Sequence, residues 1–245
     1  MSKFFVDASD VQGGSIFIRS KEDVRHIVKV LRLKEGAEIE ISDSAQWEYT
    51  ARICFIGEDE VEAEILDKQK FAREPELQVT LFQGIPKQSK METIIQKCVE
   101  LGVYEVVPVF MERTVVVDRG KFYKKQERWQ KISAEAVKQC RRGIIPEIGD
   151  ARNFKEMVKA LDGFDRIVFP YENETGRTIK DCLRGFETKP RRVALIIGPE
   201  GGFSDEEARQ LKDSGADCVS LGKTILRTET AGPAAMAMLM YELEL

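Results

Sequence analysis

The chain has 245 residues, 42% of them hydrophobic and 33% charged, with a formal net charge of -4, which is the make-up of one large or two ordinary globular domains with a real core. No apolar run approaches the ~20 residues needed to cross a bilayer, and the opening segment MSKFFVDASD lacks the apolar stretch of a secretion signal, so a cytoplasmic protein without a membrane partner is expected. Five scattered cysteines with no CxxC pair and a single histidine, His26, supply neither a zinc ligand set nor a Ser-His-Asp hydrolase, and no metal is expected.

Residues 1–72 read as a β-rich module. Lys3–Val6 and Ser15–Ile18 are short strand candidates separated by Gly13-Gly14. Asp23–Leu31 predicts a short helix with Val24, Ile27, Val28 and Leu31 on one face. Alternation then takes over in Glu38–Ser42, Trp47–Ile56 and Val61–Ile65, with turn residues at Asp43-Ser44 and Gly57-Glu58-Asp59. That pattern predicts an antiparallel meander or small barrel.

A polar stretch from Gln69 to Pro75 closes this module, and the second domain is expected over 73–245. From there strand and helix patterns alternate. Strands are predicted at Gln78–Gln83, Glu105–Phe110, Arg166–Phe169, Val193–Ile197 and Cys218–Leu221. Helices are predicted at Gln88–Leu101, Phe122–Gln139, Phe154–Leu161, Arg177–Leu183 and Asp205–Asp213, with a last one ending at Leu245. Repeated β–α alternation implies an α/β fold with a mostly parallel sheet covered on both faces.

Charge is unevenly distributed. Residues 1–72 hold 10 Lys and Arg against 15 Asp and Glu, a net of -5, whereas 113–142 hold 10 against 3, a net of +7. Screening limits the reach of distant acidic charge to about 8–10 Å, so a basic segment of an acidic protein can still meet phosphate. A solvated helix face is the plainer alternative.

Two glycine-bearing loops stand out. The first, Gly198-Pro199-Glu200-Gly201-Gly202, follows a buried-type strand and leads into a helix opened by Ser204 and Glu207 in an S-x-x-E capping box. The second runs from Gly222 to Thr230. Loops at the carboxyl ends of neighbouring strands are where an α/β sheet builds a ligand pocket. The dinucleotide pattern G-x-G-x-x-G is missing, and Asp217 stands where a phosphate loop ending Gly222-Lys223-Thr224 needs glycine, so a nucleotide di- or triphosphate is disfavoured. Pro233 places the start of the last helix near Thr230–Gly232. Its small, soft face (Ala231, Ala234, Ala235, Ala237 with Met236, Met238, Leu239 and Met240) reads as a dimer interface, with an internal core helix as the alternative.

HIVKVLRLKEG, PKQSKMETIIQKCVELGV, MERTVV, AEAVKQCRRGIIPEI, IGPEGGFSDEE and LGKTILRTETA, in this order and spacing, resemble the bacterial 16S rRNA uracil-N3 methyltransferases of the SPOUT, or α/β-knot, superfamily. The resemblance covers nearly the whole chain. It implies a PUA-like β-barrel RNA-binding domain, a SPOUT domain with a C-terminal trefoil knot, a homodimer, and 16S rRNA or the small ribosomal subunit as partner. It further implies S-adenosyl-L-methionine held by Ile197, Gly198, Pro199, Glu200, Gly201 and Gly202, by Leu221, Gly222, Ile225, Leu226, Arg227 and Ala231, and by Pro170, Tyr171 and Glu172. Small departures fall at Lys3, where arginine is frequent, at Val99, where threonine is usual, and at Arg141, where glycine is frequent.

Methyl transfer to N3 of uracil is an in-line displacement that also requires the N3 proton to leave. His26 is read as structural or as an RNA contact, which leaves carboxylates or water assisted by a cation; Glu229 is the candidate proton acceptor and Arg227 the candidate cation that stabilises the uracil anion. Stabilisation of the helix N-terminus by Glu229 is the alternative. Lys3, Arg25, Lys29, Arg32, Lys87, Lys90, Arg113 and Arg142, with Arg119, Lys124 and Arg128, are the expected phosphate contacts.

Overall fold

The computed structural model describes residues 3–71, 74–117, 120 and 122–245. The chain divides into two units, residues to Glu74 with Val137–Ile145, and Pro75–Ala136 with Pro146–Leu245. The boundary expected between 72 and 73 falls on residues outside those described. Contrary to expectation, 137–145 belongs with the first unit.

The first unit contains β1 (Lys3–Phe5), β2 (Val11–Gln12), β3 (Ser15–Ile18), α1 (Lys21–Arg25), β4 (Glu38–Ser42), β5 (Trp47–Ile56) and β6 (Val61–Lys70). Its six-stranded sheet has the order β1-β4-β5-β6-β3-β2. The meander β4–β5–β6 is antiparallel, as the alternation predicts, but β1 joins β4 in parallel. Ile39, Ile41, Tyr49, Ala51, Ile53, Val61 and Ala63 form the buried face. The helix expected over Asp23–Leu31 is only one α turn, followed by a wide π turn at His26–Val30 closed by Leu31 N–H on the His26 carbonyl at 2.9 Å. The extra residue in that turn rotates Val28 off the core and leaves Val30 67% exposed, while Val24 and Ile27 stay buried.

A charged network ties 137–145 into this unit. Arg142, 6% exposed, pairs with Glu74 at 2.9 Å, and the Glu74 carboxylate also accepts from the Gly143 and Ile144 N–H groups at 2.6 and 3.0 Å. Lys3 pairs with Glu48 and donates to the Arg142 carbonyl at 2.9 Å. Lys3 and Arg142, expected on phosphate, are therefore internal; their charge is already consumed. Arg141 has φ 61, the left-handed cap conformation that glycine adopts without strain.

The second unit runs β7 (Gln78–Gly84), α2 (Lys90–Glu100), β8 (Glu105–Phe110), α3 (Phe122–Cys140), β9 (Glu147–Ile148), β10 (Arg152–Asn153), α4 (Phe154–Ala160), β11 (Arg166–Pro170), α5 (Ile179–Arg184), β12 (Arg192–Ile197), α6 (Asp205–Asp213), β13 (Asp217–Val219) and α7 (Thr228–Leu243). The last turn of α3 belongs to the first unit. The sheet order is β10-β8-β7-β12-β11-β13, with β9 also on β8, and every pairing is parallel. Strand β12 is buried from Val193 to Ile197 because helices cover both faces. Phe154 and Met157 of α4 and Ala208 and Leu211 of α6 meet Phe82, Val107, Phe169 and Ile196 in one core cluster. Helix α7 packs on α2, α5, β7 and β12.

Strands β9 and β10, two residues each, are too short to register as a period and were not expected. Helix α7 begins at Thr228, earlier than Pro233 suggests. Pro233 then lies in the second turn and leaves the Glu229 carbonyl without its helical donor, an unfavourable arrangement that the anchoring of Thr228 described below offsets.

Removing the buried cation by Arg142→Met should cost about 3–5 kcal/mol, because Glu74 is left as an unpaired buried charge. Arg141→Gly should be neutral or stabilising by up to about 1 kcal/mol. Urea unfolding of the full chain followed by fluorescence measures both.

Candidate active site

Because β11, β12 and β13 are parallel, the segments that follow them leave the sheet on one edge and enclose a single cavity of about 890 Å³. Its walls are drawn from 170–178, 197–203 and 220–228 with Ala231, joined by Lys90 from the first turn of α2. The first glycine loop lies across the end of β7, where a side chain on Gly84 would come within 2.5 Å of Pro199 N. Gly202 has φ 67, and the Glu172 carboxylate fills the space its side chain would take. The chain then turns into α6 through the expected capping box of Ser204 and Glu207. Glu207 also accepts from Glu112 N–H at 2.8 Å, and Arg113 donates to the Gly201 carbonyl at 2.9 Å.

The second loop is joined to the first at one atom. Thr228 Oγ1 donates to the Gly198 carbonyl at 2.7 Å and accepts from Gln83 Nε2 at 3.0 Å. Ile225, 81% exposed, forms part of the wall between them. In the third segment the Glu174 carboxylate accepts from the Gly176 and Arg177 N–H groups at 2.7 and 3.2 Å, and Thr178 caps α5. Glu172 has no hydrogen-bond or ion-pair partner among the described residues.

Every residue assigned to the methyl donor from the sequence lines this cavity: Pro170, Tyr171, Glu172, Ile197, Gly198, Pro199, Glu200, Gly201, Gly202, Leu221, Gly222, Ile225, Leu226, Arg227 and Ala231. Thr178, Phe203, Ser220, Thr228 and Lys90 line it too. Thr178 carries a local signal, T-x-x-D at a helix start; Lys90, over a hundred positions from the loops, carries none. Glu229 is not on the wall. Its Oε2 is enclosed, and Lys90 Nζ meets it at 3.2 Å as a charge, without an aligned hydrogen bond. Glu229, expected as proton acceptor, thus stands beside Lys90 and off the cavity lining.

Lys90 also pairs with Glu200 at 3.1 Å. Contacts with Glu200 first and Glu229 second hold the lysine above its ordinary range. Burial pushes Glu200 up, but its own backbone N–H, that of Lys87 and the Lys90 ammonium outweigh this and keep it low. Glu229 is lowered chiefly by its own backbone N–H, against a smaller effect of burial, and then by Lys90. Carboxylates with depressed folded values stabilise above their unfolded range and lose that contribution as pH falls through the folded value, while the raised lysine acts at all lower pH. The cluster is thus fully charged at neutral pH.

Of the expected phosphate contacts, Arg25, Lys29 and Arg32 are exposed without partners among the described residues, and Lys87 and Lys124 are exposed. Lys90 and Arg113 are engaged as above, Arg128 pairs with Glu92 at 2.9 Å, and Arg119 lies outside the described residues. Among the described residues no group of three His, Cys, Asp or Glu side chains could hold a metal, and no helix is long and apolar enough to cross a membrane.

The sheet and its loop edge define an α/β protein that receives a small ligand at the carboxyl ends of parallel strands. Residues 73–240 match the family model described as an RNA methyltransferase domain, and 20–66 match the RNA methyltransferase PUA domain. The chain belongs to this RNA methyltransferase family. It is 31% identical to ribosomal RNA small subunit methyltransferase E of Bacillus subtilis, over 100% of this chain and 98% of the relative. The same-named protein of Buchnera aphidicola subsp. Schizaphis graminum is 34% identical, over 95% and 93%. A solved structure of the Neisseria gonorrhoeae methyltransferase E bound to S-adenosyl methionine has a TM-score of 0.83 at 30% identity, covering 98% of this chain and 97% of that one.

Thr228→Val, which leaves the Gln83 amide and the Gly198 carbonyl facing a methyl group, should cost about 1–3 kcal/mol in urea unfolding.

Proposed function

We propose that the protein transfers the methyl group of S-adenosylmethionine to N3 of a specific uridine in the 16S rRNA of the small ribosomal subunit, in the cytoplasm. The observation that carries this reading is the convergence of both glycine loops and the 170–172 segment on one cavity. Full-length similarity to small-subunit rRNA methyltransferases supports the substrate class.

The residues present fit the donor. Gly201 and Gly202 let Arg113 and the Glu172 carboxylate close against the first loop, where any side chain would collide. Ile197, Leu221, Ile225 and Leu226 offer apolar surface to an adenine ring. At the start of α6, Ser204 and Glu207 occupy each other's backbone N–H groups, and Asp205, Glu206 and Glu207 fill the first turn with negative charge. With its first N–H groups so occupied, that helix end is a poor phosphate site. When bound, the donor supplies a sulfonium methyl group.

The protein must hold the uracil edge-on and remove its N3 proton. Three carboxylates line the cavity, and the engagement of Glu174 and Glu200 leaves Glu172 as the acceptor, in place of Glu229. Arg227, exposed on the wall, stabilises the anion that develops over N3 and the flanking carbonyl oxygens. Arg25, Lys29 and Arg32 of the PUA-like barrel, together with Lys87 and Lys124, grip phosphate.

The segment entering α7 is read as passing under the first loop to form a trefoil knot, supported by Thr228 lying between Gln83 and Gly198. A homodimer through α7 is supported by Tyr241, 71% exposed, beside the half-buried Met238 and Met240.

Mass spectrometry of digested 16S rRNA after reaction should give 3-methyluridine; a ribose-methylated nucleoside would contradict the reading. Glu172→Gln should slow single-turnover methylation by about 10²–10⁴-fold. Combined Arg25→Ala, Lys29→Ala and Arg32→Ala should reduce the salt slope of RNA binding by roughly 2–3. An unchanged slope would remove these residues from the interface.

A further inference from the structure

Among the described residues, Lys90 is the one basic residue on the cavity wall that comes from outside the three loop segments. It begins α2, and its ammonium stands 3.1 Å from Glu200 and 3.2 Å from Glu229. Those carboxylates belong to different segments, Glu200 to the tip of the first glycine loop, on the wall, and Glu229 to the first turn of α7, next in sequence to Thr228. Glu200 is further held by the Lys87 N–H at 3.0 Å, so its partner on the α2 side is backbone as well as side chain.

Without the lysine, two ionised carboxylates would face each other at a site where both are partly withdrawn from water, and they would repel. Thr228 fixes the roots of the same two segments. Lys90 fixes them further out, where the first loop and the start of α7 border the cavity. Two ties at different heights set the width of the cleft. Arg113 on the Gly201 carbonyl and the Lys87 N–H on Glu200 also hold the first loop, while Lys90 and Thr228 are its ties to the start of α7.

We infer that Lys90 is a positioning residue for the methyl donor: acting through Glu200 and Glu229, it clamps the two loops at the spacing the donor requires, and it does not serve as a contact for RNA phosphate. This rests on the donor site proposed above. The bridging geometry gives it a signature that neither a phosphate contact nor a simple structural residue has, because the damage from losing the cation should be partly undone by removing one of the two opposing charges.

The test is calorimetric titration of the full-length protein with S-adenosylmethionine, alongside RNA binding by filter retention. Lys90→Met should weaken donor binding about tenfold or more while leaving RNA affinity and its salt slope unchanged. Lys90→Met combined with Glu229→Gln should recover a measurable part of that loss, and Lys90→Arg, which keeps the charge, should stay within about threefold of the parent. Thermal melts identify any variant that fails to fold, in which case Lys90→Arg and Glu229→Gln alone carry the comparison: loss of donor binding on Glu229→Gln with retention on Lys90→Arg supports the clamp. Unchanged donor binding by folded Lys90→Met, equal loss in the single and double variants, or a fall in RNA affinity alone would overturn it. Failure of the parent protein to bind donor would instead overturn the proposed function.

Discussion

The hydroxyl of Thr228 joins three parts of the α/β unit that are far apart in sequence. It accepts from Gln83 at the end of β7, donates to the carbonyl of Gly198 after β12, and stands at the first position of α7. A side chain with one donor and two acceptor sites is needed there, since an apolar residue of the same shape would strand both a buried amide and a carbonyl. The early start of α7, the tolerated Pro233 and the facing of the two glycine loops all follow from this junction.

The parallel sheet supplies the rest of the constraint. Strands running in one direction release their loops on one edge, so residues from 170, 198 and 222 onwards share a cavity with no long-range sequence signal bringing them together. A glycine loop before a helix suggests a phosphate, but the capping box of α6 already occupies backbone N–H groups at that helix start.

The long strands and helices were legible because their patterns are regular: β5 of the first unit and β8 and α6 of the α/β unit have the bounds their periodicity predicts. The cavity loops were legible through their motifs. What escaped was set by tertiary packing. The π turn after α1 keeps an apolar helical stripe in sequence while turning Val28 and Val30 outward. Arg142 and Lys3 look like surface cations until Glu74 and Glu48 are seen beside them. The pairing of Glu229 with Lys90 was likewise out of reach, because sequence shows a charge but not the opposite charge beside it.

The central claim is that the segments 197–203 and 220–231 form one methyl-donor site held at Thr228. Amide hydrogen exchange measured by mass spectrometry, with and without saturating S-adenosylmethionine, tests it most directly. Both segments, with 170–172, should gain protection together while the β4–β5–β6 meander exchanges as before. Protection confined to one loop, or located outside these segments, would contradict it.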